Sequence, residues 1–203
     1  MKFAVFVSGH GGNLQAIIDA CEAGEIQSEL ALVFSNKRKA LGLERARKAG
    51  IKTLFLNPKD YTNPQSFDRD IAIHLKEEGI DFVVLAGYMK LLSAWFIKKY
   101  PKKILNIHPS LLPAFKGKQG VKDAFTYGAK VTGVTVHFVD EMTDHGPIIL
   151  QEAVTIDPKD DLESLLEKIA KVEHKLYKQA IALFEQGRLK IKGRKVHITE
   201  DSV

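Results

Sequence analysis

The sequence predicts an α/β protein built on a single-domain, open and mostly parallel sheet with helices on both faces. Short β-branched apolar runs alternate with stretches of helical periodicity along most of the 203 residues. This alternation is typical of parallel sheets, because each parallel connection needs a long crossover, usually a helix. The sequence has no repeat, low-complexity segment or Pro/Ser-rich linker that would divide it. We therefore expect one domain over residues 1–203, with halves that meet near residue 100.

The individual elements follow from local patterns. Apolar runs predict strands at 2–7, 29–35, 52–56, 82–86, 103–107, 131–139 and 148–156. Leu14, Ile17, Ile18 and Cys21 have the spacing of one helix face, and Gly24 can end that helix. Further helices are expected at 43–49, 65–78, 93–100 (with Ser93 as cap) and about 160–187. The tail 189–198 is expected to be a hairpin or a terminal edge strand.

Composition excludes several classes of protein. The formal net charge is +5, and Cys21 is the only cysteine, so there is no internal disulfide, zinc ribbon or CxxC redox site. Apolar runs are too short to cross a membrane, and no signal peptide is recognisable, so we expect a cytoplasmic protein. The basic clusters at 98–103 and 189–195 are not interleaved with aromatic residues, which disfavours nucleic acid as a partner.

A glycine-rich loop at residues 8–13 joins the first strand to the first helix. Uncovered backbone N–H groups at a helix N-terminus suit an anion of phosphate size, although a tight turn that binds nothing is an equally good interpretation of the loop alone. A dinucleotide site is disfavoured because Leu14 stands where the fingerprint needs Gly or Ala. The second strand also ends without the acidic residue that would hold a ribose.

Two polar side chains close the strand at 103–107. Strand alternation puts Asn106 and His108 on one side and Ile107 on the other, and Pro109 prevents the ladder from continuing. In open α/β sheets, ligands bind at the carboxyl ends of strands. The two side chains are therefore candidates for a site, and the alternative is that they only fix the following turn.

Asp144 precedes a Gly-Pro turn and offers a carboxylate that could orient His108, although turn aspartates are common. Amide, imidazole and carboxylate are the groups needed to stabilise an oxyanion and move a proton. The sequence carries neither the G-x-S-x-G motif of hydrolases nor the HExxH motif of zinc enzymes. His137 lies inside a strand, where a core or surface histidine is the better interpretation than a metal ligand.

Four segments together resemble one known family. They are the loop S-G-x-G-x-N, the run 106–113, the strand 133–139 and the turn 144–147. With the same internal spacing over about the first 190 residues, the chain resembles the glycinamide ribonucleotide formyltransferases of purine biosynthesis. The resemblance implies the formyltransferase fold, with a Rossmann-like N-terminal half (about 1–100) on the nucleotide phosphate side. The C-terminal half (about 101–203) would hold the folate and the catalytic residues.

The resemblance also implies the reaction and its residues. It implies formyl transfer from 10-formyltetrahydrofolate, a reduced folate, to the amine of glycinamide ribonucleotide. It implies no covalent enzyme intermediate, no metal, no nucleic acid or membrane partner, and a monomer or homodimer. Asn106 and His108 match the groups that hold and protonate the tetrahedral intermediate, and Asp144 matches the partner of His108. The matching nucleotide-binding residues are Gly11, Gly12, Asn13 and Glu173. The matching folate-binding residues are Met89, Lys90, Leu91, Leu92, Asn106, Asp140, Glu141 and Asp144.

Some positions depart from the family pattern. Gly12 stands where many relatives have Ser, Asn63-Pro64 where some have Arg, Lys90 for Arg, and Ala170 for Gln. These changes concern nucleotide contacts and the folate tail rather than the chemistry.

Three rival functions remain open at the sequence level. Methionyl-tRNA formyltransferase is expected to need a further C-terminal domain, and formyltetrahydrofolate hydrolase an N-terminal regulatory one. The third rival is a nucleotide-binding module without catalysis.

Overall fold

The computed structural model describes residues 1–200, so the last three residues of the expected domain lie outside the described part. Its strands are β1 (Lys2–Val7), β2 (Glu29–Ser35), β3 (Lys52–Phe55), β4 (Phe82–Leu85), β5 (Ile104–His108), β6 (Val131–Phe138), β7 (Ile148–Thr155), β8 (Leu189–Lys192) and β9 (Lys195–Ile198). Its α-helices are α1 (Gly12–Glu22), α2 (Leu41–Lys48), α3 (Pro64–Glu77), α4 (Ala94–Lys99), α5 (Gly120–Tyr127) and α6 (Leu162–Glu185). A 3-10 turn spans Pro58–Asp60.

The chain comprises two compact units, Met1–Leu105 and the part from Asn106 onward, and the boundary falls inside β5. Up to that strand the order is β3-β2-β1-β4-β5, and β1 pairs in parallel with both β2 and β4. Residues 3–7 of β1 are all buried, which is the pattern of a parallel strand covered on both faces. Phe3 stacks on Phe82 with ring centroids 5.0 Å apart, so aromatic packing contributes to this core.

From β5 onward the order is β5-β6-β7-β9-β8. β6 and β7 form an antiparallel pair, and β9 pairs in parallel with β7 and antiparallel with β8. The long helix α6 packs against β6 and β7 and begins with a capping box in which Asp161 and Ser164 bond each other's backbone. The edge strands of the two orders, β3 and β8, are four residues long and carry exposed lysines, Lys52 on β3 and Lys190 and Lys192 on β8.

The predicted open, mostly parallel α/β fold is confirmed. Each of the seven predicted strands is present within one residue at either end, and the tail forms a hairpin. The sequence pattern did not predict α5, an eight-residue helix from Gly120 to Tyr127 that is followed by Gly128 in a left-handed conformation with φ 80°. Across residues 1–200, none of the helices is both long and apolar enough to cross a membrane.

Candidate functional site

The glycine-rich loop of the first unit places uncapped helix N–H groups at its surface. Gly11 is the N-cap of α1 and adopts a left-handed conformation with φ 73°. A Cβ atom on Gly11 would lie 2.8 Å from the Cα of Gly42, so only glycine fits there. Within the described chain no side chain caps this end of α1, which leaves backbone donors and the positive end of the helix dipole for an anion.

Ser8 ties this loop to the segment that follows β4. Its hydroxyl donates to Asn36 Oδ1 at 2.6 Å and accepts from the N–H of Met89 at 2.9 Å, while its own N–H donates to the Gly87 carbonyl at 3.1 Å. On the other side of the loop, Arg45 Nε donates to the His10 carbonyl at 3.0 Å. The loop and the start of segment 87–92 therefore form one hydrogen-bonded arrangement.

The other end of this segment is held by a buried carboxylate. Asp68, on α3, has no exposed surface and accepts from the N–H of Ser93 at 2.6 Å. Burial raises the pKa of Asp68, and its hydrogen bonds from Ser93 oppose the rise, as does the charge of Lys90. Between these two anchors, Met89 is 53% exposed and Leu91 73% exposed, so the segment offers apolar surface to a ligand.

In the second unit, the side chains of His108 and Asp144 meet in a largely buried place. His108 Nδ1 lies 3.5 Å from Asp144 Oδ2, and the two side chains are 4% and 10% exposed. Asp144 Oδ2 also accepts from the N–H of Gly117 at 2.8 Å, and His108 Nε2 bonds the carbonyl oxygen of Phe115 at 2.8 Å. Both ring nitrogens of His108 thus face oxygen atoms that can only accept hydrogen bonds.

Asn106 is oriented by His137, which lies on β6. His137 Nδ1 donates to the carbonyl of Phe138 at 2.8 Å, so its Nε2 carries the lone pair that accepts from Asn106 Nδ2 at 3.2 Å. Burial lowers the pKa of His137, although the Phe138 carbonyl and the charge of Asp144, 3.9 Å away, act in the opposite direction. A neutral His137 fixes which end of the Asn106 amide carries the donors.

The turn after His108 is fastened to the sheet by Thr135. The Thr135 hydroxyl donates to the Ser110 carbonyl at 2.7 Å and accepts from the N–H of Leu112 at 3.1 Å. Gln151, on β7, donates to Thr135 Oγ1 at 2.9 Å and to the Leu112 carbonyl at 3.0 Å. These bonds, of which the two from Thr135 to the turn are buried, fix the backbone that follows His108.

Asp144 belongs to residues 140–146, which we call the Asp144 loop. Asp144 adopts a left-handed backbone conformation with φ 47°, which is unfavourable for a residue with a Cβ atom and points to a constrained position. A Cβ on Gly146 would lie 1.8 Å from the Phe138 carbonyl, so the end of the loop sits directly against β6. Met142 is 61% exposed on this loop.

The structure thus brings Asn106, His108 and Asp144 together within the second unit. Asp140 and Glu141 belong to the same loop as Asp144, and Glu173 is half-buried on α6. The other residues implied by the resemblance lie in the first unit, and they are Gly11, Gly12, Asn13, Met89, Lys90, Leu91 and Leu92. Their roles remain predictions.

Sequence reasoning did not include His137 and Thr135 in the site. The buried position of His137, 2% exposed, agrees with a core histidine, but its ring also contacts Asn106. The signal was present, because strand alternation places Thr135 and His137 on one face of β6 just as it pairs Asn106 with His108. What was lacking was the knowledge that β6 lies next to β5.

Comparison with known proteins agrees with this fold and this set of side chains. The fold is an open, mostly parallel sheet, and the side chains are an amide, an imidazole and a carboxylate. Residues 1–181 match the family described as Formyl transferase, and the chain belongs to that family. It is 43% identical over 191 residues to the phosphoribosylglycinamide formyltransferase of Haemophilus influenzae, a match that covers 94% of this chain and 90% of that protein. The crystal structure of glycinamide ribonucleotide transformylase 1 from Symbiobacterium toebii superposes with a TM-score of 0.96 at 46% identity, covering 98% of this chain and 94% of that one.

Some relatives are much longer. The chain is 44% identical over 202 residues to the trifunctional purine biosynthetic protein adenosine-3 of Bos taurus. That match covers 98% of this chain and only 20% of the relative.

Proposed function

We propose that this protein is a phosphoribosylglycinamide formyltransferase of de novo purine biosynthesis. It transfers the formyl group of 10-formyltetrahydrofolate to the amine of glycinamide ribonucleotide and forms no covalent bond with either substrate. The observation that carries the proposal is the convergence of Asn106, His108 and Asp144, which contact one another directly or through His137. This is a set of groups suited to stabilising an oxyanion and moving a proton.

The loop of the first unit suits the phosphate of the nucleotide. Gly11 and Gly12 leave backbone N–H groups open at the start of α1, and a hydroxyl side chain is not required for such a site. Asn13 Oδ1 is buried and has no hydrogen-bond partner among residues 1–200. A buried acceptor of this kind is stabilised by a ligand donor such as a hydroxyl or an amine, both of which this nucleotide carries. We assign Glu173 to the same substrate.

Exposed apolar side chains suit the flat ring system of the folate. In the first unit these are Met89 and Leu91, on a segment held at both ends by hydrogen bonds. In the second unit Met142 is exposed on the Asp144 loop. We assign segment 89–92 and residues 140, 141 and 144 to this ligand, with Lys90 supplying positive charge for its anionic tail.

The chemistry divides between three residues. The folate supplies an electrophilic formyl carbon, and negative charge develops on the formyl oxygen as the amine adds to that carbon. The Asn106 amide has one N–H directed to His137 and a second available for this oxygen. His108 also donates to this oxygen from Nε2. That nitrogen bonds the Phe115 carbonyl in the structure, so the substrate oxygen competes with this carbonyl for the same donor. Asp144 contacts His108 Nδ1 and, together with water, carries the amine proton to N10 as the bond between the formyl carbon and N10 breaks.

The test is to mix the purified protein with 10-formyltetrahydrofolate and to follow tetrahydrofolate release with and without glycinamide ribonucleotide. We expect release that depends on the nucleotide and yields its formylated product. Equal release without the nucleotide would identify a hydrolase. No release in either case would contradict the proposal and favour a binding module or a different amine acceptor.

The Asn106→Ala variant tests the assignment of the oxyanion donor. Loss of one such donor typically lowers turnover by about a hundred- to a thousand-fold, so kcat should fall by that factor while both ligands still bind. Asn57→Ala, at a surface turn of the first unit, is the matched control and should retain normal turnover. Near-normal kcat in Asn106→Ala would remove Asn106 from the catalytic set.

A further inference from the structure

The C-terminal hairpin contacts the Asp144 loop through one arginine. Arg194 lies in the two-residue turn between β8 and β9, beyond residue 181, where the match to the family ends. Its Nη2 donates to the backbone carbonyl of His145 at 2.5 Å, and its Nη1 lies 3.1 Å from His145 Nε2. The planar guanidinium therefore holds both the main chain and the side chain of the residue next to Asp144.

His145 links Arg194 to Asp140, the first residue of the Asp144 loop. Nη1 of Arg194 lies 3.4 Å from His145 Nδ1 as well as 3.1 Å from Nε2, so the guanidinium lies against the imidazole ring near both nitrogens. His145 Nδ1 lies 2.7 Å from Asp140 Oδ2, to which it donates, and Asp140 Oδ1 accepts from the N–H of Met142 at 3.0 Å. Arg194, His145 and Asp140 form a chain of hydrogen bonds that spans the Asp144 loop.

The C-terminal hairpin is held by strand pairing and by hydrogen bonds at its base. Its strands pair at four positions from Leu189 to Lys192, and β9 joins β7 where Ile148 faces Lys195. At its base, Arg188 Nε donates to the Thr199 carbonyl at 2.7 Å, and the N–H of Thr199 donates to the Arg188 carbonyl at 2.9 Å. The turn that carries Arg194 is thus attached to the same sheet as the loop it contacts.

We propose that Arg194 is a positioning residue for catalysis: it holds His145 and Asp140 and thereby fixes Asp144 against His108. The inference rests on the proposed function, because it assigns an effect on turnover to a residue outside the reacting groups. The distance between His108 Nδ1 and Asp144 Oδ2 is 3.5 Å, so a small displacement of the loop breaks the contact. A displacement of about 1 Å can lower a rate by as much as roughly 100-fold.

Steady-state kinetics of Arg194→Ala, Arg194→Lys and the control Lys192→Ala test the proposal. Lys192 is an exposed cation of the same hairpin, so its loss removes the same charge. We expect Arg194→Ala to lower kcat between several-fold and about 100-fold while the KM for glycinamide ribonucleotide stays within about twofold. Arg194→Lys should be intermediate, because one ammonium group cannot bond two acceptors in the fixed fork of a guanidinium. Lys192→Ala should behave as the wild type.

A His145→Ala variant completes a double-mutant cycle. If Arg194 acts through His145, the double variant should lose little more activity than Arg194→Ala alone. Full activity in Arg194→Ala would overturn the proposal, as would full restoration by Arg194→Lys, which would mean that charge alone is needed. Additive losses would also overturn it, since the two residues would then act independently.

Hydrogen exchange separates this inference from the proposed function. Without any substrate, amides in peptides covering residues 140–146 should exchange faster in Arg194→Ala than in the wild type or in Lys192→Ala. If the protein formylates nothing, the proposed function is wrong, and the exchange experiment still reports whether Arg194 holds the loop. Unchanged exchange in Arg194→Ala would overturn the inference whatever the activity.

Discussion

The orientation of the Asn106 amide depends on a neutral histidine that takes no part in bond making. Replacing His137 by Leu removes the acceptor of the Asn106 N–H and leaves the amide free to rotate. We expect kcat to fall roughly five- to 100-fold, the equivalent of about 1–3 kcal/mol for one buried hydrogen bond, with little change in KM. His137→Gln, which offers a carbonyl acceptor, should recover part of the loss. Equal kcat in both variants would mean that His137 acts only by filling space.

Asp68 should make the stability of the protein depend on pH. Its pKa in the folded protein is raised above the ordinary value of 3.8, mainly by burial, so the folded state binds this proton more readily than the unfolded chain does. The stabilising contribution is therefore complete below about pH 3.8 and is lost as the pH rises through the folded pKa. At neutral pH the ionised carboxylate is a cost, which Asp68→Asn removes while keeping an acceptor for Ser93.

Thermal unfolding of Asp68→Asn against the wild type measures this effect. The variant should have the higher Tm at pH 7, and the difference should shrink as the pH falls toward 4. Asp19→Asn, at an exposed position on α1, shows what the loss of a surface charge does. A lower Tm for Asp68→Asn at neutral pH would mean that the attraction of Lys90 and the bond to Ser93 outweigh the cost of burial.

Residue patterns predicted which side chains lie together in part of the candidate site, whose roles remain predictions, and did not predict its other contacts. Asn106, His108 and Asp144 were identifiable because their neighbours Pro109 and Gly146-Pro147 mark strand ends and turns. The engagement of His108 Nε2 by the Phe115 carbonyl could not be predicted, because a backbone carbonyl has no sequence signature. The same holds for the contact between Arg194 and His145, which depends on how the hairpin folds back onto β7.

At the scale of the elements, β6 and β7 approach each other through Gly133. A Cβ atom there would lie 2.2 Å from the Glu152 carbonyl on β7 and 2.6 Å from Leu111 Cδ2. Gly133→Ala should therefore force the two strands apart and lower the free energy of unfolding by about 1–3 kcal/mol or more. Denaturant unfolding measures the change, with Val131→Ala, at a position 48% exposed on the same strand, as the control.

The contact with the Glu152 carbonyl, rather than the contact with Leu111, should determine how strongly Gly133→Ala destabilises the protein. Leu111→Ala should not rescue Gly133→Ala, because the Glu152 carbonyl remains in place when the leucine side chain is shortened. Rescue by Leu111→Ala would show that side-chain packing, rather than the strand pair, limits this position.

The elements were predictable to different degrees for physical reasons. Strands such as β1 are continuous apolar runs bounded by polar or glycine residues, so their ends are marked in the sequence. α5 was not predicted because it is eight residues long, starts at a glycine and has no side-chain cap within the described part of the chain. Such a helix is stabilised by packing against its surroundings, which no local pattern records.

At the scale of the whole molecule, the formal net charge of +5 should assist the capture of anionic substrates. Charges on a protein surface act over about 10 Å at 0.1 M salt, so raising the salt concentration weakens this attraction. We expect kcat/KM for glycinamide ribonucleotide to fall several-fold when NaCl is raised from about 50 mM to about 500 mM. The kcat at saturating substrate serves as the control and should change little; a parallel fall in kcat would indicate an effect on the chemistry instead.

The short, lysine-bearing edge strands β3 and β8 have a consequence for the protein in concentrated solution. The edge of any sheet exposes unpaired backbone groups that can recruit a strand from another molecule. On β8, Lys190 and Lys192 are both exposed, so an incoming strand would have to bring its side chains against two ammonium groups. Each edge strand has only four residues to pair, so few backbone hydrogen bonds would offset the cost of placing side chains against these charges. Crowding therefore does not readily drive the sheets to grow from molecule to molecule into fibrils.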